Sequence, residues 1–243
     1  MAAAVLITGA SRGIGAAAAK AFAAAGFDLL LLSRPTAEGN PSAELEALAA
    51  SLRQGGRRVE IAGIDLADSA AIAPGLAELL GRGLVPKVVI NNAGAAYTGA
   101  LGEMPLDQWQ WLLQLNVTAV FQVCQAVLPL FRSAGEGLII NVSSHAAHKT
   151  FPDWGAYATT KAAKVCFSRH LAEEERAHGI RVSTLTLGAV NTPLWDTETV
   201  HSDFDRHAML DVGQVADALL VLAQQPANQV VEDLTLMPAA GAL

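Results

Sequence analysis

Three residues near the middle of the chain have types and a spacing that suit proton transfer. Tyr157 and Lys161 are four residues apart in a stretch of helical pattern, so both side chains lie on one face of one helix. An ammonium beside a phenol favours the phenolate and makes the phenol a usable general acid or base. Ser144 follows an apolar run at 137–142, which predicts a buried strand. Its hydroxyl could hold a substrate oxygen against the phenol, although an ordinary surface Tyr–Lys pair would have the same spacing.

The N-terminal segment has the pattern of a dinucleotide phosphate site. A short apolar strand at 5–7 runs into the loop 8–15, TGASRGIG, and an alanine-rich helix follows to about residue 25. The N-terminus of such a helix offers free amide groups to a pyrophosphate. Gly9 permits the tight turn, Gly13 lets the backbone approach the pyrophosphate, and Gly15 lets the helix pack closely on the strand.

The end of the second predicted strand, 29–34, bears on the choice of dinucleotide. An acidic residue at this position would bind ribose hydroxyls and repel a phosphate, but the chain has Ser33 and Arg34 here, and Arg12 lies in the glycine loop. Two guanidinium groups and a hydroxyl suit the 2′-phosphate of NADP. Alternatively, both arginines are simply solvated and bind no phosphate. The absence of an acidic residue at the end of this strand favours NADP(H) over NAD(H).

The elements that must position these residues alternate along the chain. Further strands are predicted at 58–62, 87–90, 180–187 and 229–237, and helices at 43–54, 68–81, 106–132, 154–178 and 212–224. This alternation predicts an α/β fold: a Rossmann-like, doubly wound parallel sheet of about seven strands with helices on both faces, in one domain over 1–243. Ligands of such folds bind at the carboxyl ends of the strands.

Two further features point to the same edge of the sheet. Asn116 lies in the middle of the predicted helix 106–132, where asparagine is unfavourable, so it either holds a water or a lysine or is a tolerated polar residue. The segment 189–211 follows the sixth strand and is either a substrate loop or ordinary surface. Aromatic residues are expected at the rim of the site, where they would stack a planar compound or simply pack: Tyr97, Phe151, Trp154, Trp195 and Phe204.

Composition excludes several classes of function. The 243 residues carry a net charge of −7 with no basic stripe, which argues against nucleic-acid binding. No run of 18 apolar residues occurs, so no membrane span is expected. The N-terminus has no basic region before the first strand, so we expect no signal peptide and a cytoplasmic protein. No Cys/His spacing indicates a metal site.

Together these motifs resemble the classical short-chain dehydrogenases/reductases over the whole chain. The resemblance is carried by the loop 8–15, Asp65-Leu66, Asn91-Asn92-Ala93-Gly94, Asn116, Ser144, Tyr157 with Lys161, and Gly188 with Thr192. It implies that Tyr157 is the general acid/base, that Ser144 polarises the substrate oxygen, and that Lys161 binds the nicotinamide ribose. It also implies that Asn116 holds a water that connects Lys161 to solvent.

The same resemblance implies a cofactor site and an assembly. Thr192 would bind the nicotinamide carboxamide and Asn92 would lie beside the adenosine ribose. The cofactor-binding residues are expected to be Gly9, Ser11, Arg12, Gly13, Ile14, Gly15, Ser33, Arg34, Asp65, Leu66, Asn92, Ala93, Gly94, Tyr157, Lys161, Gly188, Val190 and Thr192. The family also implies a homodimer or homotetramer built on helices 106–132 and 154–178.

Two departures from the family pattern leave the substrate open. Leu187-Gly188 replaces the usual Pro-Gly, and the C-terminus lacks the Asp-Gly-Gly of many acyl-carrier-protein reductases. The sequence predicts an NADP-dependent oxidoreductase that interconverts a small-molecule carbonyl and its alcohol. Alternatives are reductases of 3-oxoacyl thioesters or of pterins, or enzymes of a small ketone or a sugar. A non-catalytic dinucleotide-binding scaffold is disfavoured, since Asn116, Ser144, Tyr157 and Lys161 are all present.

Overall fold

The structure, a computed structural model, describes residues 2–242 and alternates strands with helices. The strands are β1 (Ala4–Thr8), β2 (Asp28–Ser33), β3 (Val59–Gly63), β4 (Pro86–Asn91), β5 (Gly137–Ser144), β6 (Ile180–Leu187) and β7 (Asp233–Leu236). The helices are α1 (Gly13–Ala24), α2 (Ala43–Gln54), α3 (Ser69–Gly81), α4 (Leu106–Leu113), α5 (Ala119–Ala134), α6 (Gly155–Glu175) and α7 (Val212–Ala223). A π-helical turn, Gln114–Thr118, joins α4 to α5.

All seven strands pair in parallel, in the order β3-β2-β1-β4-β5-β6-β7. The chain therefore builds outward from β1 in one direction and from β4 in the other. The direction of winding reverses between these two strands, which is where doubly wound folds leave a ligand crevice. The predicted fold class is confirmed.

Buried strands separate two apolar layers. Alternate leucines of β2 face opposite sides of the sheet, so that Leu29 and Leu31 join one cluster while Leu30 and Leu32 join the other. The first cluster includes side chains of α1, α2 and α7, and the second includes side chains of α3, α5 and α6. This two-sided burial explains why the strands are continuous apolar runs in the sequence.

Several predicted boundaries differ from the structure. β5 continues through Ser144, because residues 143 and 144 keep their pairing with β6. β7 covers only Asp233–Leu236 of the predicted 229–237. The predicted helix 106–132 is interrupted by the π turn around Asn116, whose buried side chain bonds to Ala95 outside the helix. Such single π turns often occur at functional sites.

The segment Leu106–Ala134 is long and apolar enough, by length and composition, to cross a membrane. It was not predicted as a membrane span. One such helix does not by itself indicate a membrane span, because core helices of globular domains can be equally long and apolar. In the fold one side of α5, including Val123, Val127 and Phe131, packs in the second apolar cluster.

A half-buried ion pair joins α5 to α6 at the end away from the cleft. The Arg132 guanidinium donates from Nε to Glu175 Oε2 at 2.9 Å and from Nη2 to Oε1. The Glu175 side chain is buried, whereas the Arg132 side chain is about half exposed. Arg132 lowers the pKa of the Glu175 carboxyl, chiefly through these hydrogen bonds.

We expect Arg132→Leu to lower the free energy of unfolding by about 1.5–3 kcal/mol, since it leaves a buried carboxylate without its charged partner. The loss should be largest at neutral pH and shrink as the pH falls below about 4.3, where free glutamate is protonated. Denaturant unfolding at several pH values measures both effects. The control is Arg176→Leu, which removes an exposed pair with Glu173 and should cost about 0–1 kcal/mol. Equal losses for the two variants would contradict the prediction.

Candidate active site

A cleft of about 980 Å³ opens at the carboxyl edge of the sheet, where the winding reverses. It collects nearly all of the site residues expected from the sequence. Those that line it are Gly9, Ser11, Arg12, Gly13, Ile14, Ser33, Arg34, Asp65, Leu66, Asn92, Ala93, Gly94, Ser144, Tyr157, Lys161, Gly188, Val190 and Thr192. Asn116 and Gly15 are buried behind its wall.

The loop between β1 and α1 is braced by the end of β4. Asn92 Nδ2 donates to the carbonyl oxygens of Thr8 and Gly9 at 3.0 and 3.3 Å, and the Thr8 hydroxyl accepts from the Asn92 and Ala93 amides. Gly9 has φ +68°, and a Cβ at Gly15 would collide with the Gly9 carbonyl oxygen. No side chain caps α1. The fixed loop can therefore offer first-turn amides of α1 to an anion.

The end of the cleft that is lined by Arg12, Ser33 and Arg34, called the arginine end here, has two exposed guanidinium groups. Ser33 Oγ donates to the Arg34 carbonyl oxygen at 3.1 Å. Glu44, on the first turn of α2, also lines this end. Hydrogen bonds from its own amide and from Ser42, with a contribution from Arg12, lower the pKa of the Glu44 carboxyl. Sequence reasoning missed Glu44, because its approach to Arg12 depends on how α2 packs.

The exit of β3 is connected to the π turn. Asp65 Oδ1 accepts from the Ala67 amide at 2.9 Å, and the Leu66 carbonyl oxygen accepts from Gln114 Nε2 at 3.2 Å. The loop that carries Asp65 and Leu66 is thereby held on one side of the cleft.

The proton-transfer candidates meet at the other end of the cleft. Tyr157 and Lys161 are both at least nine-tenths buried, and Lys161 Nζ lies 5.3 Å from the centre of the Tyr157 ring. Ser144 Oγ accepts from the Ala146 amide at 3.2 Å, which leaves its O–H free to donate into the cleft. The neighbouring Ser143 hydroxyl instead donates to the Lys161 carbonyl oxygen at 3.2 Å. Ser144 is thus the serine whose proton remains available.

Asn116 braces the wall behind Lys161. Its Oδ1 accepts from the Ala95 amide at 3.0 Å, and its Nδ2 donates to the Ala95 carbonyl oxygen at 2.9 Å and to Thr160 Oγ1 at 3.0 Å. A Cβ at Gly94 would lie 3.0 Å from Asn116 Oδ1 and 3.5 Å from Lys161 Nζ, so Gly94 lets the backbone pass between these groups. The side-chain partners of Asn116 are protein groups, and the relay water stays a prediction.

The turn after β6 depends on close approach to the C-terminal segment. The Gly188 amide donates to the Leu236 carbonyl oxygen at 2.9 Å, and a Cβ at Gly188 would overlap Pro238 Cδ and crowd Met237. Glycine is needed here because the two segments touch. The family proline that Leu187 replaces is not needed for this contact, since Leu187 is the last residue of β6 and is buried.

Arg206 ties the far part of the segment 189–211 to its start. Its Nε and Nη2 donate to Asn191 Oδ1 at 2.9 and 2.7 Å, Nη2 also donates to the Thr192 carbonyl oxygen at 3.0 Å, and Nη1 donates to Asp196 at 2.9 Å. Thr199 Oγ1 donates to the Ala96 carbonyl oxygen at 2.8 Å. This segment is therefore fastened both to itself and across the cleft.

An aromatic wall, defined as Phe151, Trp154, Trp195 and Phe204, continues from Tyr157 along the cleft. Edge-to-face contacts join Tyr157 to Trp154 (5.4 Å), Trp154 to Trp195 (5.6 Å) and Trp195 to Phe204 (5.5 Å). Trp195 Nε1 donates to the Val190 carbonyl oxygen at 2.8 Å, which fixes the indole.

The expectation that Tyr97 belongs to the rim is wrong. Its ring packs against Gly99 and does not line the cleft. The physical reason is local: the Thr98 amide donates to the Thr199 carbonyl oxygen at 2.8 Å, which binds this loop to the segment 189–211.

Charge is distributed unevenly along the cleft. Within residues 2–242, the lysines and arginines that line it are Arg12, Arg34 and Lys161. Near the aromatic wall the lining carries Asp196 and Glu198. Asp196 pairs with Arg206. The cleft thus has two guanidinium groups at its arginine end, whereas the opposite end is largely apolar and carries Lys161 and two carboxylates, one of them paired.

Comparisons with known proteins agree with this architecture. The family model "short chain dehydrogenase" matches residues 3–202. A D-threitol dehydrogenase from Mycolicibacterium smegmatis is 36% identical over 200 residues, which are 79% of this chain and 73% of the relative. An alcohol dehydrogenase from the archaeon Thermococcus sibiricus, complexed with 5-hydroxy-NADP, is 28% identical with a TM-score of 0.87, and the match covers 98% of this chain and 97% of that structure. A short-chain dehydrogenase from Sphingobium yanoikuyae in complex with NADPH is 32% identical with a TM-score of 0.83, over 98% and 88% of the two chains.

The family match covers most of the chain. The structure agrees with it in having a parallel sheet, a braced glycine loop and a cleft at the winding reversal. The chain belongs to the short-chain dehydrogenase/reductase family, whose members are oxidoreductases that bind nicotinamide dinucleotides.

Proposed function

We propose that the protein transfers a hydride between NADP(H) and a carbonyl or alcohol substrate, with Asn116, Ser144, Tyr157 and Lys161 as its catalytic residues. The single observation that carries the proposal is the cleft itself. One continuous cavity joins the glycine loop and two arginines at one end to the free Ser144 hydroxyl and the Tyr157–Lys161 pair at the other.

In the reducing direction the bound cofactor supplies the hydride to the carbonyl carbon. Ser144 donates a hydrogen bond to the carbonyl oxygen and stabilises the charge that develops there as the C=O π bond breaks. Tyr157 gives its proton to that oxygen, which completes the alcohol. The Lys161 ammonium, 5.3 Å from the ring centre, stabilises the phenolate that remains. Solvent returns the proton to Tyr157, and the oxidising direction reverses each step.

NADP(H) is proposed as the cofactor rather than NAD(H). The arginine end of the cleft would hold the adenosine part of the cofactor. It is lined by Arg12, Arg34 and Ser33, and a 2′-phosphate there would accept hydrogen bonds from both guanidinium groups. Two of the similar structures are complexes with an NADP derivative and with NADPH, which supports the choice. Glu44 opposes it weakly, since its carboxylate adds a negative charge beside Arg12.

The substrate that fits best is a neutral carbonyl compound with an aromatic or bulky apolar substituent. The aromatic wall beside Tyr157 would bury such a group. A thioester with an anionic carrier would meet the carboxylates of Asp196 and Glu198 in the lining, although Lys149 Nζ lies 5.3 Å from the centre of the Phe151 ring and Arg206 pairs with Asp196. A polyol, the substrate type named for the Mycolicibacterium relative, would leave most of its hydroxyls against indole and phenyl rings.

A pterin-like compound is the second candidate. Its planar ring would stack on the same wall, and its amino and amide groups could donate to Glu198, which forms no ion pair among residues 2–242. The segment 189–211 would serve as the substrate loop for either compound.

A homodimer or homotetramer is proposed on the outer faces of α5 and α6. Phe121 on α5 is 44% exposed and contacts Phe167 on α6 edge to face, with ring centres 6.4 Å apart. An apolar surface formed by two adjacent helices suits association with a second copy of the chain.

The experiment that tests the proposal is NADPH and NADH binding by fluorescence titration, followed by NADPH oxidation against a substrate panel. The panel contains an aryl ketone, a small aliphatic ketone, a pterin, a ketose and a 3-oxoacyl thioester. We expect tight NADPH binding and the highest kcat/KM for the aryl ketone. Binding without any turnover would favour a scaffold, and no binding of either cofactor would refute the proposal.

Tyr157→Phe should lower kcat by about 10²–10⁴-fold, because the substrate oxygen loses its proton donor. NADPH affinity should change by less than about twofold, because the lost hydroxyl acts on the substrate. Steady-state kinetics and fluorescence titration measure the two effects. Tyr97→Phe is the matched control, since Tyr97 is the other of the chain's 2 tyrosines and lies outside the cleft lining. Near-normal turnover of Tyr157→Phe would remove Tyr157 from the mechanism.

Arg34→Asp should weaken NADPH binding by about 100-fold, since a charged hydrogen bond is lost and repulsion is added. NADH binding should stay within a few-fold, so the ratio of the two dissociation constants reports the role of Arg34. Lys20→Asp makes the same charge change on the exposed side of α1 and should leave this ratio unchanged. An unchanged ratio in Arg34→Asp would refute the assignment.

Arg206→Ala should loosen the segment 189–211, because four hydrogen bonds to its first residues are lost. We expect faster proteolysis between residues 191 and 210 and a higher KM for NADPH, since Thr192 is proposed to bind the carboxamide. Arg169→Ala, which removes an exposed pair with Asp233, is the control. Identical cleavage rates in both variants would show that Arg206 does not hold the segment.

A further inference from the structure

A second lysine is buried directly behind Lys161. Lys164 follows it by three residues on α6, so the two side chains leave neighbouring positions on one helix face. The Lys164 side chain is 1% exposed and is among the largest fully buried side chains of the protein. Its Nζ donates to the Val142 carbonyl oxygen at 3.3 Å, and Lys161 Nζ reaches the same oxygen at 3.5 Å.

No negative charge compensates Lys164. Among residues 2–242 it forms no ion pair, and the titratable groups that act on it are Lys161 of α6 and the Cys124 thiol of α5. Burial first, and the charge of Lys161 second, hold the pKa of Lys164 well below the usual value of a lysine. Burial raises the pKa of Cys124 to about 12, so this thiol stays neutral. A charge on Lys164 is thus costly, because burial removes its solvation and no carboxylate compensates it.

The surrounding polar side chains are also neutral, and most of them are bonded to one another, although the buried Asn91 Oδ1 has no hydrogen-bond partner among residues 2–242. Asn91 Nδ2 donates to Asn141 Oδ1, Asn141 Nδ2 donates to Ser168 Oγ, and Ser168 Oγ donates to the Lys164 carbonyl oxygen, at 2.7–2.8 Å. These linked hydrogen bonds fix the backbone of α6 next to Lys164. The amine of Lys164 donates to the Val142 carbonyl oxygen.

We propose that Lys164 is a positioning residue of the reaction, which occupies the Val142 carbonyl oxygen and so keeps the Lys161 ammonium forward, towards Tyr157 and the cofactor ribose. The proposal rests on the proposed function. A charged donor forms a shorter and stronger hydrogen bond to a carbonyl oxygen than a neutral donor does. The Lys161 ammonium would therefore move onto the Val142 carbonyl oxygen if Lys164 were absent. At 3.5 Å, against 3.3 Å for Lys164, Lys161 Nζ has the longer of the two contacts to that oxygen, as expected where a nearer donor already occupies it.

The test compares Lys164→Met, which keeps the length of the side chain without its donor, with Lys164→Gln, which keeps a neutral donor. In Lys164→Met we expect the KM for NADP(H) to rise about tenfold, the value of one hydrogen bond to a charged group. The kcat for alcohol oxidation should fall as well, because the cation that stabilises the phenolate moves away from the phenol. Lys164→Gln should be intermediate in both, and Lys20→Met on the exposed side of α1 should match the wild type.

A purely structural role would change stability alone. Removing a buried amine should keep or raise the thermal midpoint of Lys164→Met at pH 7. That advantage should fade as the pH approaches about 10.4, where an unfolded lysine also loses its proton. A folded Lys164→Met with wild-type KM and wild-type kcat would overturn the proposal, whatever its stability.

A measurement on the wild-type protein covers the case in which Lys164→Met does not fold. The lysine side chains are labelled and the Lys164 Cε resonance is followed on addition of NADP. We expect it to shift, since binding of the ribose lengthens the remaining contact of Lys161 with the oxygen that Lys164 occupies, and an unmoved resonance in the saturated protein would overturn the proposal. If the wild-type protein shows no turnover, this proposal and the proposed function both fail. If the wild-type protein is active and the folded Lys164→Met variant behaves like it, this proposal alone fails.

Discussion

All seven strands of the sheet run parallel, so every loop that leaves a strand at its carboxyl end emerges at one edge of the molecule. The rest of the site depends on this constraint. The winding reversal between β1 and β4 separates the loops that follow them and opens the cleft. The same reversal puts Thr8 beside Asn92, whose mutual hydrogen bonds hold the glycine loop open. Residues separated by 84 positions thereby act as one brace.

Behind the cleft, most buried polar groups have hydrogen-bond partners within the protein itself. Asn116 uses its amide on Ala95 and Thr160, and the π turn gives that side chain its direction out of the helix. Ser143 and Ser144 differ by one position, yet the first hydroxyl is used on backbone while the second keeps its proton for the cleft. In a low-dielectric site such prior pairing limits which groups remain reactive. The remaining donors are the ones that the proposed chemistry needs.

The two ends of the cleft are shaped by different interactions. The arginine end is set by charge, since Arg12, Arg34 and the Glu44 carboxylate all line the cleft there. The opposite end is set by packing, where Trp195 is locked by its bond to Val190 and Arg206 fastens the loop that carries it. A charged end can accept a common anionic cofactor, and an apolar end can select among substrates. This division explains how the family architecture can be retained while the substrate differs.

The sequence by itself determined the fold class, the order of strands and helices, and the motifs that follow the strands. These follow from patterns within a few residues: two-sided apolar runs, the glycine spacing of the loop 8–15, and the four-residue interval between Tyr157 and Lys161. Only the tertiary structure decided the contacts between distant segments. It brought Glu44 to Arg12, pressed Gly188 against Pro238, moved Tyr97 away from the cleft and put Lys164 on the oxygen that Lys161 also reaches. Local patterns cannot specify such pairs, because each depends on how separate elements pack against one another.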